Sequence, residues 1–100
     1  MDISGRNALI TGGAHRVGKA ITLALARAGA DVFIHYGRSA DEAEATAAQV
    51  RELGRAAALG SANLSDPTVA GDLIDAATVA LGPISILINS ASGFPSDTLQ

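Results

Sequence analysis

The segment ITGGAHRVGKAI, residues 10–21, carries the apolar run NALIT (7–11) into a stretch with helical spacing. It brings Gly12, Gly13 and Gly18 together with His15, Arg16 and Lys19. Glycines between a strand and a helix suit a phosphate group. They permit a tight turn and a close backbone approach, and they present the exposed N–H groups at the positive end of the helix dipole. Two cradles come near this pattern. Gly13 to Lys19 fits the P-loop spacing G-x-x-x-x-G-K, but Ala20 stands where Ser or Thr would hold the magnesium of a nucleoside triphosphate. A dinucleotide turn uses Gly12 and Gly13 for the bend and Gly18 for close helix packing, although the full G-x-G-x-x-G is absent. A strand-to-helix turn that binds nothing is the plain alternative. The strand, turn, helix and second strand in succession favour a ligand.

Outward from this segment the pattern alternates. Val17, Ile21, Leu25 and Ala28 fall at helical spacing and Gly29 follows as a stop. DVFIHY (31–36) reads as a second strand. SADE (39–42) has the form of a capping box and opens a helix to about Leu53, ended by Gly54. RAAALGSAN (55–63) holds a third strand, and Asp66-Pro67 reads as N-cap and first residue of a third helix that ends near Gly82-Pro83. ISILIN (84–89) is a fourth strand. The pattern predicts an α/β fold: a Rossmann-like doubly wound parallel sheet, partial, with about four strands and three helices in strand order 3-2-1-4. Residues 1–100 then form the N-terminal part of a single dinucleotide-binding domain. The switch point lies between strands 1 and 4, so the loops after NALIT and ISILIN should face each other.

The end of strand 2 distinguishes two cofactors. An NAD site usually places an acid there, about 20 residues past the glycines, to accept from the ribose 2′-hydroxyl. Here HYGRSAD (35–41) offers Tyr36, Gly37, Arg38 and Ser39 instead. A cation, a hydroxyl and an electropositive helix start suit the 2′-phosphate of NADP. Ser39 can serve as an N-cap as well, and Arg38 taken alone reads as a solvated loop charge. His35 reads as a strand residue with a satisfied ring, and Lys19 as a surface helix residue.

The bulk composition is consistent with this. Of 100 residues 48% are hydrophobic but only 3% aromatic, so the core is light in large side chains. The formal charge of -3 argues against a nucleic-acid binder, and the absence of cysteine excludes thiolate metal sites and disulfides. No secretory signal opens the sequence and no apolar run is long enough to span a bilayer. These features lead to the expectation of a cytoplasmic protein that acts on a small molecule, with no nucleic-acid or membrane partner and no metal.

TGGAHRVG (11–18), NLSD (63–66) and NSAS (89–92) resemble, in order and spacing, three landmarks of the short-chain dehydrogenase/reductase family: T-G-x-x-x-G-x-G, an Asp-containing loop after strand 3, and N-N-A-G. Arg16 in place of the middle glycine, HYGRS after strand 2 and NSASGF after strand 4 are similar to pteridine-reductase-like members. The resemblance implies cofactor contacts at Gly12, His15, Arg16, Val17 and Gly18. It implies others at Tyr36, Arg38 and Ser39, at Asn63 and Leu64 beside the adenine, and at Asn89, Ala91 and Ser92. It also implies that Arg16, Ser92 and Phe94 meet the substrate, with Phe94 stacked on a flat ring. Asn63 departs from the family's Asp but keeps a carbonyl that can accept from the adenine amino group. The family's catalytic Tyr-x-x-x-Lys does not occur, and Tyr36 is the sole tyrosine, so no catalytic residue is assigned. The resemblance therefore implies a longer chain continuing past Gln100: an NADP(H)-dependent reductase of a carbonyl or pterin-like substrate, and a homo-oligomer. A non-catalytic dinucleotide-binding fragment and, less well fitting, a P-loop nucleotide hydrolase stand as alternatives.

Overall fold

The computed structural model describes residues 2–14, 16–66 and 68–90. Strand and helix alternate: β1 (Asn7–Thr11), α1 (Arg16–Arg27), β2 (Asp31–Tyr36), α2 (Ala40–Glu52), β3 (Ala57–Ser61), α3 (Val69–Leu81) and β4 (Ile86–Asn89). The strands form one parallel sheet in the order β3-β2-β1-β4. Leu9 stands level with Phe33 on one side and Leu87 on the other. This is the predicted topology, and each parallel step is bridged by a helix, as parallel pairing requires.

Alternate side chains along the strands serve opposite faces of the sheet. Ala8, Ile10, Val32 and Ile34 pack with Ala26 of α1 and with Ala43, Ala47 and Val50 of α2. Leu9 and Phe33 pack on the other face with Leu64, Leu73 and Ala77. Burial on both faces explains why β1 and β2 read as continuous apolar runs rather than alternating ones. The small helix residues let α1 and α2 lie close to the sheet, so a core poor in aromatics still closes. Among the described residues β4 is the outer strand beside β1, and its Leu87 is 59% exposed. No helix of the described residues is long and apolar enough to cross a membrane.

The structure corrects three local expectations. The buried face of α1 is Gly18, Thr22 and Ala26, not the stripe of larger residues, and Val17 is 68% exposed. Close contact with the sheet selects the small side chains, and Leu23 and Leu25 flank it, partly buried. The capping box does not form: Ser39 is the N-cap residue of α2, but its hydroxyl makes no cap hydrogen bond. The third helix begins at Val69 with Thr68 as N-cap, later than Asp66-Pro67. Asp66 still acts as a cap would, since its Oδ1 accepts from the Thr68 N–H at 2.9 Å and the Thr68 hydroxyl at 2.8 Å.

Candidate functional site

The turns after β1 and β4 meet at the predicted switch point. The Thr11 hydroxyl donates to Asn89 Oδ1 at 2.8 Å and accepts from the Ser90 N–H at 3.2 Å. The Ser90 N–H also donates to the Thr11 carbonyl at 3.1 Å. The Ser90 hydroxyl donates to the same carbonyl at 2.5 Å and lies 3.4 Å from the Gly12 carbonyl. Parallel strands carry the ends of β1, β2, β3 and β4 to one edge of the sheet, so the described residues expected to bind cofactor gather there.

The glycine turn is built by close approach. Gly12 adopts φ 65, the left-handed region that glycine enters freely. A Cβ on Gly18 would collide with the Gly12 carbonyl oxygen and lie 2.7 Å from the Ser90 hydroxyl. The carbonyls of the turn point inward to hydroxyl donors. Thr22 Oγ1 donates to the Gly18 carbonyl at 2.8 Å and lies 3.3 Å from the Gly13 carbonyl, and Thr46 Oγ1 is shared between the Glu42 carbonyl at 2.9 Å and the Ala14 carbonyl at 3.0 Å. Carbonyl dipoles that would repel an anion are thereby turned away. The first N–H groups of α1, which no helical carbonyl can accept from, form the positive mouth of the turn.

Not every expected contact is available in the expected way. The Gly12 N–H donates to His35 Nδ1 at 2.9 Å and the Gly13 N–H to the His35 carbonyl at 3.1 Å. Gly12 therefore shapes the turn, and the first N–H groups of α1, among them those of Arg16, Val17 and Gly18, remain to meet an anion. Arg16 takes φ 55, a left-handed backbone that glycine enters more freely than arginine. Its side chain and that of Val17 are exposed at the start of α1.

At the end of β2, Tyr36 is partly buried against the α1–α2 core and its carbonyl accepts from the Ala62 N–H at 3.2 Å. Arg38 is exposed, and Ser39 is half-buried with a hydroxyl not used as a cap. Asp41 and Glu42 occupy the first turn of α2. A phosphate there would meet acids as well as the helix dipole, which leaves Arg38 to tip the balance.

Beyond β3, Asn63 does not present the acceptor expected for adenine. Its Oδ1 accepts from the Ser65 N–H at 3.0 Å and the Ser65 hydroxyl at 2.7 Å. Both lone pairs are used within the loop, and the group left over is the amide NH2, a donor. Leu64 is 9% exposed and packs with Leu9 and Phe33, so its side chain belongs to the core rather than to a ligand. The Asp66 carboxyl lies below the ordinary value of 3.8, held there by the Thr68 backbone N–H and then by the Thr68 hydroxyl.

The expected contacts at His15, Ala91, Ser92 and Phe94 lie outside the described residues. Among the described residues no group of three or more His, Cys, Asp or Glu could hold a metal ion. A cavity of about 470 Å³ opens between β3 and α3, lined by Phe33, Gly60, Leu73, Ala76 and Ala80 with Asp72. It carries no cation for a phosphate and lies on the α3 face, away from the glycine turn. Sequence reading missed Thr22, Thr46 and Ser90 as supports of the turn. Only the spacing Gly18 to Thr22, one helical turn, signals any of them, since the other contacts span α2 and β4.

Residues 6–100 match the family described as short chain dehydrogenase. The chain is 42% identical over 92 residues to the uncharacterized oxidoreductase MT0954 of Mycobacterium tuberculosis, covering 92% of this chain and 35% of that protein. It is 36% identical over 103 residues to the short-chain dehydrogenase/reductase homolog YusS of Bacillus subtilis, covering 100% of this chain and 94% of that protein. Among solved structures it superposes with TM-score 0.83 on the FolM alternative dihydrofolate reductase 1 of Brucella canis complexed with NADP, at 39% identity, covering 92% of this chain and 37% of that one. The chain thus spans a little over a third of the Mycobacterium and Brucella proteins and nearly all of YusS.

Proposed function

The chain belongs to the short-chain dehydrogenase family, and we propose that it is the cofactor-binding part of an NADP(H)-dependent reductase. The observation that carries the reading is at the end of β2. Arg38 and the uncapped hydroxyl of Ser39 stand where an NAD site would place an acid, on the same sheet edge as the glycine turn. The pyrophosphate would lie at the first turn of α1, where inward carbonyls and the Gly12–Gly18 contact leave a cradle open to an anion. Arg16 would reach the pyrophosphate and the substrate edge. The 2′-phosphate would pair with Arg38 and accept from Ser39. The nicotinamide would supply a hydride. The NADP complex of the Brucella relative supports the same cofactor.

The substrate class that fits is a carbonyl or a pterin-like ring. Arg16 in the glycine turn and the dihydrofolate reductase name of the Brucella protein support the pterin. Family membership supports a small-molecule substrate and a homo-oligomer, and we place the protein in the cytoplasm. The proton donor would come from a Tyr-x-x-x-Lys in the full-length protein. Loss of NADPH absorbance in the full-length protein, with a dihydropteridine set against a 3-oxoacyl thioester, tests the reading. Turnover of either with NADPH preferred over NADH is expected. Binding of neither dinucleotide would contradict it.

A further inference from the structure

His35 is 2% exposed, and both of its ring nitrogens are engaged by main chain. The Gly12 N–H donates to Nδ1 at 2.9 Å, and Nε2 lies 2.9 Å from the Ala62 carbonyl. Nδ1 must be unprotonated to accept, so Nε2 carries the proton and donates. One neutral tautomer satisfies both contacts, and the other would set two N–H groups against each other at Gly12 and two acceptors against each other at Ala62. The His35 carbonyl meanwhile accepts from the Gly13 N–H at 3.1 Å.

The two ring partners belong to different parts of the candidate site. Gly12 opens the turn whose shape Gly18 reads, and Ala62 immediately precedes Asn63 in the loop after β3. The ring spans the end of β2 and ties the two loops at a fixed separation. A dinucleotide reaches from one to the other, with pyrophosphate at the first and adenine toward the second.

We propose that His35 is a positioning residue of the cofactor site, a neutral clip that holds the pyrophosphate turn and the adenine loop in register before the dinucleotide arrives. The inference rests on the NADP(H) reading above. It assigns His35 no contact with the cofactor and no part in proton transfer.

Three substitutions separate the two contacts. In His35→Asn the amide oxygen can stand at the Nδ1 position and accept from Gly12. In His35→Gln the longer amide can reach only toward Ala62. His35→Leu makes neither contact and leaves the Gly12 N–H buried without an acceptor. Fluorescence titration of the full chain with NADPH is expected to show binding weakened about tenfold or more in His35→Leu. Most of that loss should be recovered in His35→Asn, and less in His35→Gln. Nitrogen-15 spectra of the wild-type ring should show Nδ1 without a proton and Nε2 with one. That reading needs no variant to fold. Wild-type affinity in His35→Leu, no recovery in His35→Asn, or a proton on Nδ1 would each overturn the proposal while leaving the cofactor reading intact. A wild-type chain that binds no NADPH would overturn the cofactor reading and this inference together.

Discussion

Gly18 of α1 faces the carbonyl oxygen of Gly12 so closely that no Cβ fits between them. The nearest obstacle is backbone, which cannot swing aside as a side chain would, and the Ser90 hydroxyl lies beside it. Gly18→Ala should therefore lower stability by about 1–3 kcal/mol, the usual range for forced overpacking. It should weaken NADPH binding in parallel, because α1 is pushed off the turn whose N–H groups it presents. Chemical denaturation and NADPH titration of the same preparation check both effects.

Arg16 takes a left-handed backbone with φ 55, a conformation that disfavours a side chain by about 1–2 kcal/mol. Arg16→Gly should raise stability by about 1 kcal/mol while loosening NADPH binding, since the strain is relieved and the cation is lost together. Opposite movement of melting temperature and affinity is the expected signature. A variant no more stable than the wild type would show that the turn holds no strain there.

The Asn63 amide oxygen is spent on Ser65, which leaves a donor toward the adenine amino group in the proposed binding mode. Asn63→Asp supplies a second acceptor oxygen, one for Ser65 and one free. The substitution should tighten NADPH by about 0.5–1.5 kcal/mol, the net value of one hydrogen bond. Calorimetric titration of both proteins measures the difference.

Asp66 gives a pH dependence of known sign. Its folded pKa is depressed below 3.8 by the Thr68 N–H and hydroxyl, so its contribution is complete above the unfolded value and disappears as pH falls through the folded one. Asp66→Ala should be less stable than the wild type at neutral pH, and the gap should close in strong acid. A gap that persists once the carboxyl is protonated would assign the loss to packing rather than to the charged cap.

Much of this architecture could be read in the sequence. NALIT and DVFIHY are buried on both faces and so announce themselves as apolar runs, and the strand order follows once strands and helices alternate. The face of α1 could not be read the same way. Val17 looked like a core residue by type, yet the sheet selects Gly18, Thr22 and Ala26 because closeness, not bulk, is what the turn needs. Ser39 in a Ser-x-x-Glu pattern kept its place at the helix start but not its hydrogen bond. The engagement of Asn63 with Ser65 and of His35 with Gly12 and Ala62 is a matter of side-chain direction, which spacing along a chain does not encode.

If the end of β2 receives a 2′-phosphate, Arg38 must discriminate between the two cofactors. Dissociation constants for NADPH and NADH, measured side by side for the wild-type chain and for Arg38→Ala, decide it. The wild type should prefer NADPH. Arg38→Ala should lose about 1.5–3 kcal/mol of NADPH affinity, the range for a hydrogen bond to a charged group, with NADH little changed. Equal losses for the two cofactors would contradict the assignment of Arg38 to the 2′-phosphate.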